Sequence, residues 1–147
     1  MSAPRGGRRR RPEADLQRAI VATLRAALPK GAILHHSAHE FGMGGERGRK
    51  RQAVLSGMGV HAGWSDLVVL AEGRVVFIEV KSARGRLTER QTAFGAAVRA
   101  QGHGFAVARS VEEALGAVSA HGIRLRIKPT IGEAARSATE PRPGPSR

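Results

Sequence analysis

The feature that most constrains the fold is a pair of short apolar runs in the middle of the chain. Residues 67–70 read Leu-Val-Val-Leu and residues 74–80 read Arg-Val-Val-Phe-Ile-Glu-Val, with Ala71-Glu72-Gly73 between them. Runs of this length, rich in β-branched residues and joined by a turn that contains glycine, are typical of two buried strands in a hairpin. We therefore expect this hairpin to form the centre of a sheet.

Three polar side chains interrupt the hairpin at its open end. Asp66 opens the first strand, while Glu79 and Lys81 lie near the end of the second. Because side chains alternate between the faces of a strand, Glu79 and Lys81 share one face, and Asp66 can lie beside Glu79. Two neighbouring buried carboxylates are unfavourable unless a cation compensates them. Mg²⁺ prefers such oxygen ligands together with water and phosphate oxygens, so the pattern predicts a metal site, with Lys81 facing a phosphate or holding the attacking water.

An alternative interpretation of the same residues is structural. Glu79 and Lys81 could form an ordinary surface ion pair at an open strand end, with Asp66 capping a turn. The charge of the chain favours the functional interpretation, because 25 Lys and Arg residues against 12 Asp and Glu residues give a formal net charge of +13. Such an excess indicates a polyanionic partner, with nucleic acid as the first candidate and a membrane surface as a weaker one.

Composition excludes several other classes of protein. The absence of cysteine rules out disulfides and thiolate zinc sites. No apolar run is long enough for a membrane span, and the arginine-rich start lacks the apolar segment of a secretory signal, so we expect a soluble, cytoplasmic protein. Of the two candidate partners, we expect DNA and no membrane. Aromatic residues make up 3% of the chain, too few for a platform that stacks many bases. His35, His36, His39 and Glu40 do not match a helical zinc motif, and adjacent histidines on a strand point apart.

Periodicity and capping residues place the remaining elements. Leu16, Ile20, Leu24 and Leu28 recur every fourth residue and predict a helix from Pro12 to about Ala27. The other predicted elements are a strand at 32–36, a Gly-rich basic loop at 38–52, a helical turn at 52–58, a helix at 88–100 opened by a capping box of Thr88 and Gln91, a strand at 105–108, a helix at 110–120 opened by a second capping box of Ser110 and Glu113, and an edge strand at 123–127. The order αβββαβα predicts one α/β domain with a mixed sheet at residues 12–128, between a disordered basic arm at 1–11 and a disordered tail at 129–147.

Two further polar residues are candidates for the same site. Gln91 lies on the inward stripe of its helix and needs a partner, which is either the site at the end of the preceding strand or the backbone. Glu13 could reach a site beside the start of the first helix, or it could simply favour the helix dipole. Exposed cations that we expect to contact phosphates are Arg8, Arg9, Arg10 and Arg11 of the arm, Arg47, Arg49, Lys50 and Arg51 of the loop, and Arg84 and Arg86 of the turn after Lys81.

Residues 63–115 resemble the VRR-NUC branch of the PD-(D/E)xK nuclease superfamily. The matching pieces are Gly63-Trp64-Ser65-Asp66, Glu79-Val80-Lys81, Gln91 at the start of the next helix, and Gly102 before the next strand. The helix that begins at Glu13 is also similar to the first helix of that family, so the likeness covers most of residues 13–118. Ser65 stands where the family usually has proline.

The resemblance implies a restriction-endonuclease-like domain that acts as a Mg²⁺- or Mn²⁺-dependent deoxyribonuclease. Asp66, Glu79 and the carbonyl of Val80 would hold the metal, Lys81 would assist the nucleophilic water, and Glu13 and Gln91 would be accessory catalytic residues. Stand-alone members of the family are associated with branched DNA such as Holliday junctions, often as homodimers. The alternative function is a non-catalytic basic module that retains the nuclease fold and binds DNA or RNA.

Overall fold

The computed structural model describes residues 12–37, 46–59 and 61–126. Its elements are α1 (Pro12–Ala27), β1 (Ile33–His36), α2 (Glu46–Gly57), β2 (Leu67–Ala71), β3 (Arg74–Val80), α3 (Glu89–Ala100), β4 (Gly104–Ala108) and α4 (Val111–Ala120). The predicted α/β class is confirmed. The predicted arm and tail lie outside the described residues. No helix within the described ranges is both long and apolar enough to cross a membrane.

The sheet is mixed and has the strand order β1-β2-β3-β4. The pairs β1–β2 and β2–β3 are antiparallel, whereas β3 and β4 run parallel and are connected through α3. The predicted hairpin turns at Glu72 and Gly73, which have φ angles of 52° and 73°. A tight two-residue hairpin loop of type I′ requires positive φ at both central residues.

The two faces of the sheet carry different cores. One face packs aliphatic side chains against α1 and α4, where Ile20, Leu24 and Val118 are buried against strand residues such as Val69 and Ile78. The other face carries an aromatic cluster covered by α3, which we define as Phe77, Phe94 and Phe105 together with Val68, Val98 and the adjoining Trp64. The alternation along β2 and β3 therefore produces a sheet that is buried on both faces.

The first departure from the sequence prediction is α2. This helix begins at Glu46, inside the stretch that we expected to be a glycine-rich loop up to residue 52, so the loop prediction is wrong for residues 46–51. Lys50 pairs with Glu46 one turn away at 2.9 Å. Arg, Lys, Gln and Glu are good helix formers, and together they outweigh the single Gly48.

The second departure concerns the stretch after α4. Residues 123–126 form no strand, although their alternation predicted an edge strand. Ile123 is buried in the aliphatic core. The backbone N–H of Arg124 donates to Glu72 Oε2 at 3.0 Å, and that of Arg126 donates to the carbonyl of Ala27 at 2.7 Å. The alternation therefore reflects two side chains, Ile123 and Leu125, that pack on the core and alternate with the exposed Arg124 and Arg126, not a ladder with another strand.

Candidate active site

The open end of the β2–β3 hairpin brings Asp66 and Glu79 together. Leu67 pairs with Ile78 in the antiparallel register, so that Asp66 and Glu79, each one position further out, face each other across the two strands. Asp66 Oδ2 accepts a hydrogen bond of 2.8 Å from the backbone N–H of Val80. Glu79 shares the face of Phe77, which is the face covered by α3. The two carboxylates thus lie on one face of the sheet, as the alternation predicted.

Glu79 is buried deeply for an ionisable residue, with only 2% of its surface exposed. Its Oε1 atom accepts a hydrogen bond of 2.5 Å from Gln91 Nε2 and lies 3.4 Å from Lys81 Nζ. Its Oε2 atom is also buried, and it has no hydrogen-bond partner among the residues that the structure describes. A buried carboxylate oxygen without a partner is unfavourable, so this atom is the one that a cation would stabilise.

The electrostatics of the site follow from this burial. Loss of solvent, followed by the negative charge of Asp66, raises the pKa of Glu79 to about 7, while the ammonium group of Lys81 opposes the rise. One lysine therefore does not compensate two ionised carboxylates in this position. A carboxylate pair with a net negative charge and a free buried oxygen fits a hard divalent cation, which prefers oxygen ligands.

Gln91 connects the site to the start of α3. Its Oε1 atom accepts from the backbone N–H of Thr88 at 2.9 Å, and its own backbone N–H donates to Thr88 Oγ1 at 3.2 Å, which completes the predicted capping box. The other end of the same amide donates to Glu79. Gln91 therefore has both of the partners considered for it, the backbone through Oε1 and the site through Nε2.

Glu13 does not contact the carboxylate pair in the structure. Its Oε1 atom accepts from the backbone N–H of Ser82 at 3.1 Å, directly after Lys81 in the chain. There is little room at this point, since a Cβ atom on Gly85 would lie 3.0 Å from the same Glu13 oxygen. Glu13 thus holds the turn that follows Lys81 and does not itself contact the two acids.

Arg109 is a residue at this site that sequence reasoning missed. It follows β4, and its Nη1 atom donates to the carbonyls of Ser82 and Gly85, at 2.6 Å each. Its backbone N–H donates to Glu113 Oε2 at 2.7 Å, so Glu113 does not complete the second capping box predicted with Ser110. Ser110 alone caps α4, through Glu113 N at 3.1 Å. Bonds from a side chain to distant carbonyls leave no pattern in a sequence.

The predicted phosphate contacts fall into three groups. Arg84 and Arg86 are exposed on the turn after Lys81, close in the chain to the site. Arg49 and Lys50 are exposed on α2. The side chains of Arg47 and Arg51, and the whole of Arg8, Arg9, Arg10 and Arg11, lie outside the described part of the molecule.

The candidate site contains a pair of acids and no larger cluster of metal ligands. Within the described ranges, no group of three or more His, Cys, Asp or Glu side chains is placed to hold an ion. His35 and His36 are exposed on β1, while His39 and Glu40 lie outside the description. Ser65, which replaces the proline of the family pattern, is fully buried just before Asp66.

Comparison with known proteins agrees with the resemblance found in the sequence. The sequence model of the VRR-NUC domain matches residues 46–112, which include α2, the hairpin, α3, β4 and all of the residues grouped around Glu79 except Glu13. No curated protein matches the chain.

Two solved structures have the same fold. One, described as a VRR_NUC domain protein, has 20% identity and a TM-score of 0.59, with 78% of this chain and 90% of that chain covered. The other, described as a VRR_NUC domain, has 18% identity and a TM-score of 0.50, with 76% of this chain and 97% of that chain covered. The match of the family model over the hairpin and α3, joined to this shared fold, supports a VRR-NUC domain, a domain of nuclease type, at residues 46–112.

Proposed function

We propose that this protein is a metal-dependent deoxyribonuclease that hydrolyses phosphodiester bonds and prefers branched DNA such as Holliday junctions. The observation that carries the proposal is the state of Glu79. Its carboxylate is buried opposite Asp66, has one oxygen without a partner among the described residues, and is balanced by a single lysine. Such an arrangement is costly in a protein of structural role only, and it is the arrangement that a catalytic metal requires.

The residues that would hold the metal are Asp66, Glu79 and the carbonyl of Val80, with Mg²⁺ or Mn²⁺ as the ion. These ligands would hold an ion that, when bound, would supply Lewis acidity for a water molecule and the scissile phosphate. Gln91 fixes the orientation of Glu79 through Oε1, and this leaves Oε2 for the ion.

The other residues of the site would contact the substrate or hold the turn after Lys81. Lys81 carries a positive charge beside Glu79 and would stabilise the negative charge that develops on the phosphate in the transition state. Glu13 and Arg109 hold the turn after Lys81 from two sides. The exposed Arg84 and Arg86 on that turn would contact flanking phosphates and contribute affinity that falls as salt rises.

Preference for branched DNA is supported by the resemblance of the chain to the VRR-NUC family, whose stand-alone members are associated with such DNA. A homodimer would place two sites on opposite strands of a junction, which suits a symmetric cut. The formal net charge of +13 also favours a substrate with closely spaced phosphates, such as the centre of a junction.

A cleavage panel tests the proposal. Purified protein is incubated with a four-way junction, a flap, a duplex and a single strand, each with Mg²⁺, Mn²⁺ or EDTA. We expect metal-dependent cleavage that is strongest on the junction and is lost in Asp66→Asn. Glu72→Gln is the matched control, because it removes a carboxylate at the opposite end of the same hairpin.

The non-catalytic alternative gives a different result in the same panel. A basic binding module would retard DNA or RNA in a gel without cutting it, and Asp66→Asn would change neither property. Absence of cleavage on every substrate with both metals would therefore refute the nuclease proposal.

A further inference from the structure

The aromatic cluster has one member that reaches solvent next to the candidate active site. Trp64 is the only tryptophan in the chain and lies two residues before Asp66. The phenylalanines of the cluster, Phe77, Phe94 and Phe105, are buried, whereas Trp64 is only partly buried. Contacts with Phe77 and Phe94 place the Trp64 ring on the α3 face of the sheet, the face that also carries Glu79.

Helix α3 contacts both this ring and Glu79. Gln91 and Phe94 are three residues apart and therefore lie on the same side of the helix, less than one turn from each other. Gln91 donates to Glu79, and the ring of Phe94 lies 5.1 Å from that of Trp64, centroid to centroid. The indole therefore packs on α3 at a residue less than one turn after the one that donates to Glu79.

The ring is also held rigidly. Phe77 meets it edge-on, with centroids 5.2 Å apart and planes at 85°. The preceding Gly63 has a φ of 79°, and a Cβ atom there would lie 2.5 Å from the carbonyl oxygen of Arg90, so the loop is pressed against the first turn of α3. A ring that is fixed before binding loses little conformational entropy when a ligand packs on it.

We propose that the exposed side of Trp64 stacks on one unpaired DNA base beside the phosphate that is cut. This deepens the function proposed above and rests on it. Base stacking on an aromatic ring tolerates any base, because every base has a π face, and it requires a base that has left the duplex stack. The low aromatic content excludes a platform for several bases, but a single ring is enough for one. The contact would favour flaps and branch points over a continuous duplex.

The test uses the fluorescence of this single tryptophan. The full-length protein in EDTA, which prevents metal-dependent cleavage, is titrated with a labelled duplex that bears a short thymine flap, and with the same duplex whose flap is abasic. Indole fluorescence reports stacking, and anisotropy of the label reports binding. We expect the thymine flap to quench the indole and the abasic flap to bind through its phosphates with much less quenching.

Two variants separate stacking from packing. Trp64→Leu should weaken binding of the thymine flap about tenfold, which is the usual effect of losing one stacked base, and should leave the abasic flap unchanged. Trp64→Phe keeps a ring and should retain most of the affinity for the thymine flap. Thermal melting of both variants checks that they fold, and the quenching titration of the unmodified protein decides the matter if Trp64→Leu does not fold.

Three results would overturn the inference: equal quenching by the two flaps, no quenching by either, or equal weakening of both flaps in the variants. The last would mean that Trp64 only seals the aromatic cluster. The outcome is distinct from that of the nuclease proposal, because quenching is measured without metal. Quenching without any cleavage in the panel would refute the nuclease proposal and support the stacking site. Cleavage without quenching would support the nuclease proposal and refute the stacking site.

Discussion

The two ends of the β2–β3 hairpin each hold a glutamate near a cation, and the comparison separates an ordinary ion pair from a site. At the turn, Glu72 Oε1 lies 3.6 Å from Arg124 Nε, with 32% and 91% of the side chains exposed. At the open end, Glu79 Oε1 lies 3.4 Å from Lys81 Nζ, with 3% and 14% exposed. The separations are similar, but water screens the first pair and not the second. Burial, and not proximity to a cation, distinguishes the two ends.

The largest expected difference between the two ends is in cleavage. Glu79→Gln should lower the rate of DNA cleavage by about a thousandfold or more, since a metal ligand contributes several kcal/mol of charge stabilisation. Glu72→Gln should leave the rate unchanged, because its carboxylate is exposed and distant from Asp66. The measurement is single-turnover cleavage of the best substrate from the panel. Equal losses in the two variants would show that the ends do not differ in function.

The second prediction concerns stability and pH. The folded pKa of Glu79, about 7, lies above its ordinary value of 4.5. Between these values the folded protein binds a proton that the unfolded chain lacks, so this group's contribution to stability is full below pH 4.5, falls as pH rises through 7, and then is level. The loss for metal-free protein should be up to about 3 kcal/mol.

Thermal or urea unfolding in EDTA at pH 5 and pH 8 checks this. Glu79→Gln should remove the additional loss at pH 8 and be more stable there than the unmodified protein, while Glu72→Gln should behave like the unmodified protein. Equal stability of Glu79→Gln and the unmodified protein at pH 8 would contradict a buried charge at the open end.

The third prediction concerns what holds the open end in place. Arg109→Gln removes both bonds to the turn after Lys81, and a small displacement of that lysine should lower kcat about tenfold with little change in KM. Trypsin should also cut faster after Arg84 and Arg86, which lie in or beside the released turn. Arg124→Gln, at the other end of the hairpin, is the control and should change neither property. Unaltered kcat in Arg109→Gln would assign this arginine to stability alone.

The smallest effect is expected at the turn itself. Gly73 has a φ of 73°, and a Cβ atom there would contact nothing, so Gly73→Ala costs only backbone strain. We expect a loss of about 1 kcal/mol in the free energy of unfolding and no change in cleavage. Urea unfolding and the cleavage assay measure the two quantities. A large loss of cleavage would mean that the turn and the open end are coupled along the strands.

Local patterns were sufficient to predict much of this molecule. The spacing of Leu16, Ile20 and Leu24 gave α1, the alternation across the hairpin placed Asp66 and Glu79 on one face, and Thr88 with Gln91 marked the start of α3. Each of these signals lies within a few residues of the element that it specifies. The candidate site could be anticipated because one acid, Glu79, lies within a mostly apolar strand and the other, Asp66, directly precedes one.

The features that sequence reasoning missed depend on residues far apart in the chain. The side chain of Arg109 donates to the carbonyl of Ser82, 27 positions earlier in the chain. The backbone N–H of Arg124 donates to Glu72, 52 positions earlier, so residues 123–126 are held by this contact and not by a strand partner. The start of α2 was missed for a different reason. Its charged surface has no apolar period, and Gly48 suggested a loop where helix propensity prevails.

Because the side-chain amide of Gln91 both caps the start of α3 and donates a hydrogen bond to Glu79, the helix and the acid form a single cooperative unit. If the first turn of α3 frays, Gln91 leaves its place beside Thr88 and Glu79 loses the hydrogen bond that orients it. A nascent or partly unfolded chain in which α3 has not closed would therefore lack an aligned acid pair. Under the function proposed above, such a chain would not cut DNA until the first turn of α3 has closed.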